Sequence, residues 1–260
     1  MTRNRLDQEL VTRGLLPTRS GARAAIVDGL VRVDGETVAK PAAKIAATAV
    51  VELAAGAGRY VGRGAYKLEA ALAEFGIGVE GRTAIDVGSS TGGFTQVLLN
   101  GGASSVVAVD GGRDQLHPQL RADQRVEVHE GTNIRYVDGA PLGAPFDIIT
   151  VDLSFISLGV VAGVLAGLGG EESDWVVLVK PQFEVERSDL GKGGVVRSAT
   201  VRDAALRRVV DYFNHVDLSV VGAIPSPIIG GTGNMEALFW LRHGGNAVSV
   251  DNVFKVQPDA

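Results

Sequence analysis

The sequence predicts an α/β protein with a mostly parallel sheet, preceded by a small α+β unit. From residue 66 onward, short apolar segments typical of buried strands alternate with helical patterns. Such alternation is typical of a parallel sheet with helices on both faces. Before residue 66, two helical patterns precede a group of short strand patterns. The 260 residues are enough for one medium domain and one small one.

The small front unit is predicted from helical spacing and from one turn. A first helix is predicted in NRLDQELVTRGL and a second in TRSGARAAIVDGL, with Thr18 as its N-terminal cap. The segment VRVDGETVA alternates around an Asp-Gly turn, which is typical of a hairpin, and TAVVEL supplies one more strand. The small residues of AAGAGRYV then indicate a linker.

The charge is distributed unevenly along the chain. Residues 1–67 carry 11 Lys or Arg against 6 Asp or Glu, whereas the remainder carries 14 against 24. A basic front unit on an acidic body indicates that the front unit meets a polyanion, unless the excess is a chance fluctuation. The basic side chains at polar positions of this unit make it a candidate RNA-binding module: Arg5, Arg19, Arg23, Arg32 and Lys40.

Seven strands are predicted in the body, with helices between them. The strand segments are TAIDV, SVVAVD, VEVHE, FDIITVD, WVVLVKP, LSVVGAI and EALFWLR, and the helical segments include AYKLEAALAEF, FTQVLLNGG and TVRDAALRRVVDYF. The last strand is expected to run antiparallel to the others. The uncharged stretch from Leu153 to Gly170 is at the edge of the length of a membrane span. Because a strand leads directly into it, we expect a loop and a core helix instead.

Composition excludes several kinds of chemistry. The absence of cysteine excludes disulfides, thiolate metal sites and cysteine nucleophiles. The charged start, MTRNRLDQEL, has no apolar segment of the kind found in secretory signals, so we expect a cytoplasmic protein.

A glycine-rich turn after the first body strand indicates a ligand site. Its spacing is not G-x-G-x-x-G, and the lysine of a P-loop is missing. Asp86, in the preceding strand, would repel a phosphate, so the turn suits a cationic ligand such as S-adenosylmethionine (SAM). The alternative is an ordinary strand-turn-helix junction in which glycine serves only the packing. The residues of the turn and its helix start are Gly88, Ser89, Ser90, Thr91, Gly92, Gly93 and Phe94.

Two further residues complete the predicted ligand site. Asp110 ends the next strand, where such folds place a carboxylate on ribose hydroxyls. Asn133 follows the third strand, where an adenine edge is expected. The body is therefore predicted to be a Rossmann-like, class I SAM-dependent methyltransferase with a mostly parallel seven-stranded sheet.

The acceptor atom is predicted to be an oxygen. The Asp-Pro-Pro-aromatic motif of many amine methyltransferases is missing, and so is the cysteine of C5 pyrimidine methyltransferases. Lys180 ends an apolar strand and could assist deprotonation of a hydroxyl. Topology places Asp152, Lys67 and Glu236 at the same edge of the sheet, although each alone could be a surface charge.

At these residues the sequence resembles a known family. Lys67, Asp152, Lys180 and Glu236 are similar to the K-D-K-E tetrad of FtsJ-like RNA ribose 2′-O-methyltransferases. The fuller resemblance, over nearly the whole chain, is to the TlyA family, which joins an S4-like RNA-binding domain to that methyltransferase domain. The segments that carry it are RLDQELVTRGL, VRVDG, GRGAYKLEAAL, DVGSSTGGFTQVLL, DQLHPQLR, VDLSFISL, LVKPQFEV, GKGGVVR and PSPIIGGTGNMEALF.

The resemblance implies SAM-dependent 2′-O-methylation of cytidine ribose in ribosomal RNA, of 23S and also of 16S rRNA in some members. In those members, loss of the methyl groups is associated with resistance to capreomycin and viomycin. The implied partner is rRNA within ribosomal subunits. Neither a metal, a membrane nor an oligomer is expected to be needed. Two other classes stay open: a silent ribosome-binding or assembly factor, and a haemolysin-like membrane-active protein.

The resemblance also implies roles and boundaries. Lys180 would assist deprotonation, Asp152 and Lys67 would orient the reactants, and Glu236 would hold a lysine. SAM would contact the glycine turn with Asp86, Asp110, Asn133 and Asp152. The predicted domains are an S4-like domain at 1–56, a linker at 57–64, the methyltransferase at 65–243 and an extension at 244–260. The residues expected to contact RNA are Arg5, Arg19, Arg23, Lys40, Arg59, Arg63, Phe155, Lys192 and Arg197, with a core position for Phe155 and a plain surface loop at Lys192 as the alternatives.

Overall fold

The chain forms two compact units. The computed structural model describes residues 3–16, 19–27, 29–53 and 58–255. The units comprise Met1–Ala65, called the front unit below, and Tyr66–Ala260, called the body. Thr18, the predicted cap of the second helix, lies outside the described residues.

The front unit combines two short helices with short antiparallel strands, as the sequence predicts. Strand β1 pairs with β4, and β3, β2 and β5 form a second small sheet in that order. Leu6, Leu10, Ile26 and Val31 are fully buried between these elements. In chain order the elements are β1 (Arg3–Arg5), α1 (Leu6–Thr12), α2 (Arg19–Val27), β2 (Val31–Val33), β3 (Glu36–Thr37), β4 (Lys44–Ala46) and β5 (Val51–Leu53).

The predicted hairpin of the front unit turns at Asp34 and Gly35. Both residues have positive φ, 52° and 85°. Positive φ at both central positions is the signature of the two-residue hairpin turn whose twist matches its strands, and Asp-Gly is a preferred pair for it. The turn residues therefore fix the register of β2 against β3.

Between residues 66 and 255, the body forms one seven-stranded sheet. The strand order is β11-β12-β10-β9-β6-β7-β8. In this sheet β12 lies between β10 and β11 and pairs antiparallel with both, whereas the other neighbouring strands pair in parallel. The elements are α3 (Gly64–Phe75), β6 (Thr83–Val87), α4 (Gly93–Asn100), β7 (Ser105–Asp110), α5 (Pro118–Arg121), β8 (Val126–Glu130), β9 (Phe146–Val151), α6 (Ala162–Ala166), β10 (Gly169–Val179), α7 (Ala199–Asn214), β11 (Leu218–Pro225) and β12 (Ala237–His243).

The central strands are buried on both faces, which explains their nearly continuous apolar sequences. Ile85, Ile149 and Val177 are buried in three adjacent strands. A parallel sheet covered on both sides selects Val, Ile and Leu at successive positions. Trp175 is buried in the same core and donates its indole N–H to the carbonyl of Leu165, at 2.8 Å.

The uncharged stretch after β9 folds as a loop followed by a short core helix, as predicted. Helix α6 has five residues, and the end of the stretch forms the start of β10. Within the described ranges, no helix has both the length and the apolar character needed to cross a membrane.

Candidate active site

The carboxyl ends of the parallel strands meet at one edge of the sheet. Val87 of β6 is in register with Val109 of β7 and with Val151 of β9. The residues that follow these strands therefore lie side by side. They line a cavity of about 660 Å³, a volume in the range of sites for small ligands and cofactors.

The glycine turn packs its backbone against the neighbouring loop. Gly88 has a φ of +88°, and a Cβ atom at this position would lie 2.3 Å from the carbonyl oxygen of Asp152. The amide of Gly88 donates to the carbonyl of Val109, at 2.8 Å. Only glycine combines this φ with so close an approach, because it has no Cβ.

Asp86 lies beneath the turn. Its Oδ2 accepts hydrogen bonds from the backbone N–H and the hydroxyl of Thr95, at 2.8 and 2.6 Å. Its Oδ1 accepts from the hydroxyl of Thr150, at 3.2 Å. Burial raises the pKa of Asp86 to about 7, because the charged form is desolvated. Asp86 does not line the cavity, so it acts on the site by holding the start of α4.

Asp110 and Asn133 lie on the wall of the cavity, and the surrounding backbone fixes both of them. The carboxylate of Asp110 accepts from the amides of Ser90, at 2.8 Å, and Gly112, at 2.6 Å. The side-chain oxygen of Asn133 accepts from the amide of Arg135, at 3.1 Å. A carboxylate has room for further donors, so Asp110 can still receive hydroxyl groups of a ligand.

The predicted cofactor residues divide into two groups. Gly88, Ser90, Asp110, Asn133 and Asp152 line the cavity. The remaining predicted residues lie outside the cavity lining: Asp86, Ser89, Thr91, Gly92, Gly93 and Phe94. The chemistry of the lining fits SAM. Its carboxylates can accept hydrogen bonds from ribose hydroxyls and attract a positively charged ligand, and the glycine turn lets the backbone come close.

Lys67 and Glu236 form a buried ion pair. Lys67 Nζ is 2.5 Å from Glu236 Oε2, and each side chain is about 5% exposed. Helix α3 carries Lys67 in its first turn, and Glu236 immediately precedes β12. Each buried charge is therefore compensated by the other.

Lys180 and Asp152 form a second pair, which is more accessible. Lys180 Nζ is 2.6 Å from Asp152 Oδ1 and donates to the hydroxyl of Ser154, at 2.8 Å. Val179 is in register with Ala237, so the adjacent residues Lys180 and Glu236 lie at the same end of the β10–β12 ladder. The structure thus brings the four predicted catalytic residues to one edge of the sheet as two ion pairs.

Phe155 projects from the loop that follows Asp152. Its side chain is 91% exposed, so the alternative of a core phenylalanine is wrong. Its φ is +64°, a conformation that bulky residues rarely adopt. Its ring lies against Phe183, with 5.3 Å between centroids and 51° between planes. Sequence reasoning missed Phe183, because a phenylalanine just after a strand carries no signal of its own.

The predicted RNA-binding residues occupy both units. In the front unit, Arg5 and Arg19 both bond to buried Asp7, at 2.9 and 3.2 Å. These ion pairs, the nearer one with Arg5 above all, lower the pKa of Asp7 to about 2. Arg23, Lys40 and Arg59 are exposed, and Arg63 is half-buried.

Lys192 and Arg197 are exposed in the glycine-rich segment before α7. Asn234, which is buried, ties this segment to the chain that leads to Glu236. Its side chain accepts from the amide of Val196, at 2.9 Å, and donates to the carbonyl of Gly194, at 3.0 Å. The basic segment is therefore anchored beside the candidate active site. Across the described residues, no group of three or more His, Asp or Glu side chains could hold a metal ion.

Comparison with known families matches both units. The profile described as "FtsJ-like methyltransferase" matches residues 60–243, and the profile described as "S4 domain" matches residues 4–51.

Individual proteins match over most of the chain. The "16S/23S rRNA (cytidine-2'-O)-methyltransferase TlyA" of Mycobacterium tuberculosis (strain ATCC 25618 / H37Rv) is 44% identical, over 92% of this chain and 90% of its own length. The "Putative rRNA methyltransferase YqxC" of Bacillus subtilis is 43% identical, over 94% and 87%. The solved structure "Putative hemolysin from Streptococcus thermophilus" is 38% identical, with a TM-score of 0.76, over 98% of this chain and 94% of that one.

Proposed function

The chain belongs to the FtsJ-like methyltransferases and, among them, to the TlyA family of rRNA 2′-O-methyltransferases, and from this premise we propose that it methylates the 2′-hydroxyl of a cytidine in ribosomal RNA. The proposal rests on two ion pairs, Lys180–Asp152 and Lys67–Glu236, which lie at the edge of the sheet that borders the cavity. We propose 23S rRNA as the substrate, with 16S rRNA as a second one, by analogy with the named relative.

Residues of the cavity hold the methyl donor. SAM, when bound, supplies a methyl group on a positively charged sulfur. Asp110 would accept hydrogen bonds from the ribose hydroxyls of SAM, and Asn133 would face its adenine. Both side chains are fixed by backbone amides before any ligand binds, which reduces the ordering that binding requires. Gly88 lets the backbone approach the donor closely.

Lys180 acts on the acceptor oxygen. Its ammonium group is held between Asp152 and Ser154, so its position is fixed. A fixed positive charge stabilises the negative charge that develops on the 2′-oxygen as its proton passes to water. Asp152 and Lys67 orient the reactants, and Glu236 holds Lys67. These residues would hold the 2′-oxygen in place for the methyl group that SAM would supply, so their contribution is positioning and electrostatics.

Exposed groups bind the RNA. Phe155 offers an aromatic face to the target nucleoside, which has to leave its helix to be reached. Basic side chains bind phosphates, namely Arg5, Arg19, Arg23, Lys40, Arg59 and Arg63 in the front unit and Lys192 and Arg197 in the body. We place the reaction in the cytoplasm, where ribosomal subunits are assembled, and link it to capreomycin and viomycin susceptibility.

The test is methyl transfer from labelled SAM to purified, unmodified ribosomal subunits of both sizes. We expect label on a cytidine ribose and its loss in Lys180→Ala, by a factor of about 10² or more. Arg207→Ala, which removes an exposed cation paired with Asp251, is the control and is expected to retain activity. Bound SAM without label on either subunit would instead favour a ribosome-binding factor, and leakage of liposomes by the pure protein would favour the membrane-active class.

A further inference from the structure

Two loops meet beside the candidate active site, and one carboxylate joins them. The first, called here the Phe155 loop, comprises residues 153–157 after β9. The second is the short turn Pro181–Phe183 after β10, which ends at Glu184. Glu184 has no place in the tetrad or in the cavity lining.

Glu184 is buried, and its side-chain oxygens accept hydrogen bonds from the last residue of the Phe155 loop and from the residue after it. Oε2 accepts from the hydroxyl of Ser157, at 2.6 Å, and Oε1 accepts from the amide of Leu158, at 2.9 Å. Its residue exposure is 5%, and burial raises its pKa. A carboxylate in such a place is costly unless it is hydrogen-bonded, so these contacts hold it and the loop together.

The backbone of Glu184 is held as well. Arg208 of α7 donates to the carbonyl of Glu184, at 2.5 Å. The side chain therefore reaches the Phe155 loop from a turn that is itself attached to a long helix. This makes Glu184 a rigid anchor for the loop.

The Phe155 loop is fixed on both sides of Phe155. On one side Lys180 donates to Ser154, and on the other Glu184 accepts from Ser157. The ring of Phe155 lies on Phe183, the residue just before Glu184. The two anchors thus bracket the aromatic pair.

Phe155 needs such support because its conformation is unfavourable in isolation. It combines positive φ with a phenyl ring that is almost fully exposed to solvent. Strained backbone of this kind persists only where surrounding contacts fix it, and it is found where a loop has to present a side chain.

We propose that Glu184 is a positioning residue for methyl transfer, which holds the Phe155–Phe183 pair in the geometry that receives the unstacked target base. The inference rests on the proposed function. An unpaired base stacks on a preformed aromatic face, and stacking is sequence-tolerant because every base has a π-face. Glu184 therefore affects the RNA substrate without touching it.

A double-mutant cycle between Glu184→Ala and Phe155→Ala tests the proposal. The measured quantities are kcat and KM for unmodified ribosomal subunits, and the Kd of SAM. We expect each single variant to raise KM for the subunit or lower kcat by roughly 10-fold, with SAM still bound. In the Phe155→Ala background, Glu184→Ala is expected to add little, because the side chain that it positions is gone.

Further variants separate positioning from folding. Ser157→Ala removes one donor to Glu184 and is expected to act in the same direction, and it replaces Glu184→Ala in the cycle if that variant does not fold. Glu184→Gln keeps one acceptor oxygen and is expected to restore part of the activity. Glu172→Gln, at a 97% exposed side chain on β10, is the control.

The outcomes distinguish the two proposals. If the wild type places no label on either subunit, the proposed function fails. Suppose instead that the wild type is active and that the double variant loses activity by the product of the two single-variant factors. Glu184 then does not act through Phe155. Unchanged kinetics in Glu184→Ala or, where Ser157→Ala has replaced it, in that variant would also overturn the inference.

Discussion

Lys67 and Glu236, which are 169 positions apart in the sequence, form an ion pair that is almost completely shielded from water. The Lys180–Asp152 pair beside it is more exposed, with side-chain exposures of 11% and 23%. One half of the tetrad is therefore part of the protein interior, and the other half is accessible to a substrate. The two halves should respond differently to substitution.

Replacing one member of the buried pair is expected to destabilise the protein. Lys67→Met or Glu236→Leu leaves the partner charge uncompensated, at a cost of about 3–5 kcal/mol in the free energy of unfolding. The double variant removes both charges and is expected to recover most of that stability without recovering methyl transfer. Urea denaturation measures the first quantity, and labelled SAM the second. A double variant as unstable as the two single ones combined would contradict this.

Gly88→Ala is expected to abolish SAM binding, because the added Cβ would collide with the backbone of Asp152. The matched control is Gly81→Ala. Gly81 also has positive φ, +75°, but a Cβ there would meet nothing within 4 Å. Gly81→Ala should lower the free energy of unfolding only by the backbone strain, about 1–2 kcal/mol, and leave the Kd of SAM unchanged. Calorimetric titration measures the Kd of SAM for both variants. An equal loss of affinity in both would contradict the collision as the cause.

Asp86 is expected to make the stability of the protein depend on pH. Its pKa in the folded chain, about 7, is above the ordinary value of 3.8, so the folded state holds a proton that the unfolded state has lost. The free energy of unfolding should fall as pH rises from about 4 to about 7, by at most about 1.4 kcal/mol for each unit of pKa difference. Asp86→Asn should remove this decline.

The measurement is urea unfolding of both proteins at a series of pH values. The asparagine oxygen can still accept from Thr95, so the variant retains the contacts at the start of α4. The same slope in both proteins would mean that another group is responsible.

Arg19 is expected to contribute one phosphate contact. Asp7 holds its guanidinium group in place without removing it from the surface. Arg19→Ala should therefore weaken rRNA binding. It should also reduce the slope of the logarithm of the binding constant against the logarithm of the salt concentration by about one. Arg207→Ala serves as the control, and filter binding across a series of salt concentrations gives both slopes. Parallel slopes for Arg19→Ala and the wild type would argue against the contact.

The body could be predicted well from the sequence, because its strands are buried on both faces. Continuous apolar segments such as WVVLV have few alternatives to a central strand. The placement of Lys180 and Glu236 at one edge of the sheet also followed from topology, since the antiparallel direction of β12 brings its start to the edge where β10 ends.

Tertiary contacts of single side chains could not be predicted in this way. Nothing local shows that Arg5 and Arg19 share Asp7, or that Glu184 reaches Ser157. Asp86 is similar: its place next to a glycine turn indicates a ligand contact, but the pleat of β6 directs its side chain under α4. Such contacts depend on which elements pack together, and the sequence pattern does not specify that packing.

The position of β12 has a consequence for synthesis of the chain. Of the seven strands described in this sheet, β12 is synthesised last, yet it lies between β10 and β11, and its pairing with β10 brings Glu236 to the edge where Lys180 lies. Until it is available, β11 has no partner in the sheet and Lys67 has no counter-charge. A nascent or truncated chain that lacks it would expose two strand edges and hold an incomplete tetrad, so completion of the sheet and completion of the active site are one event.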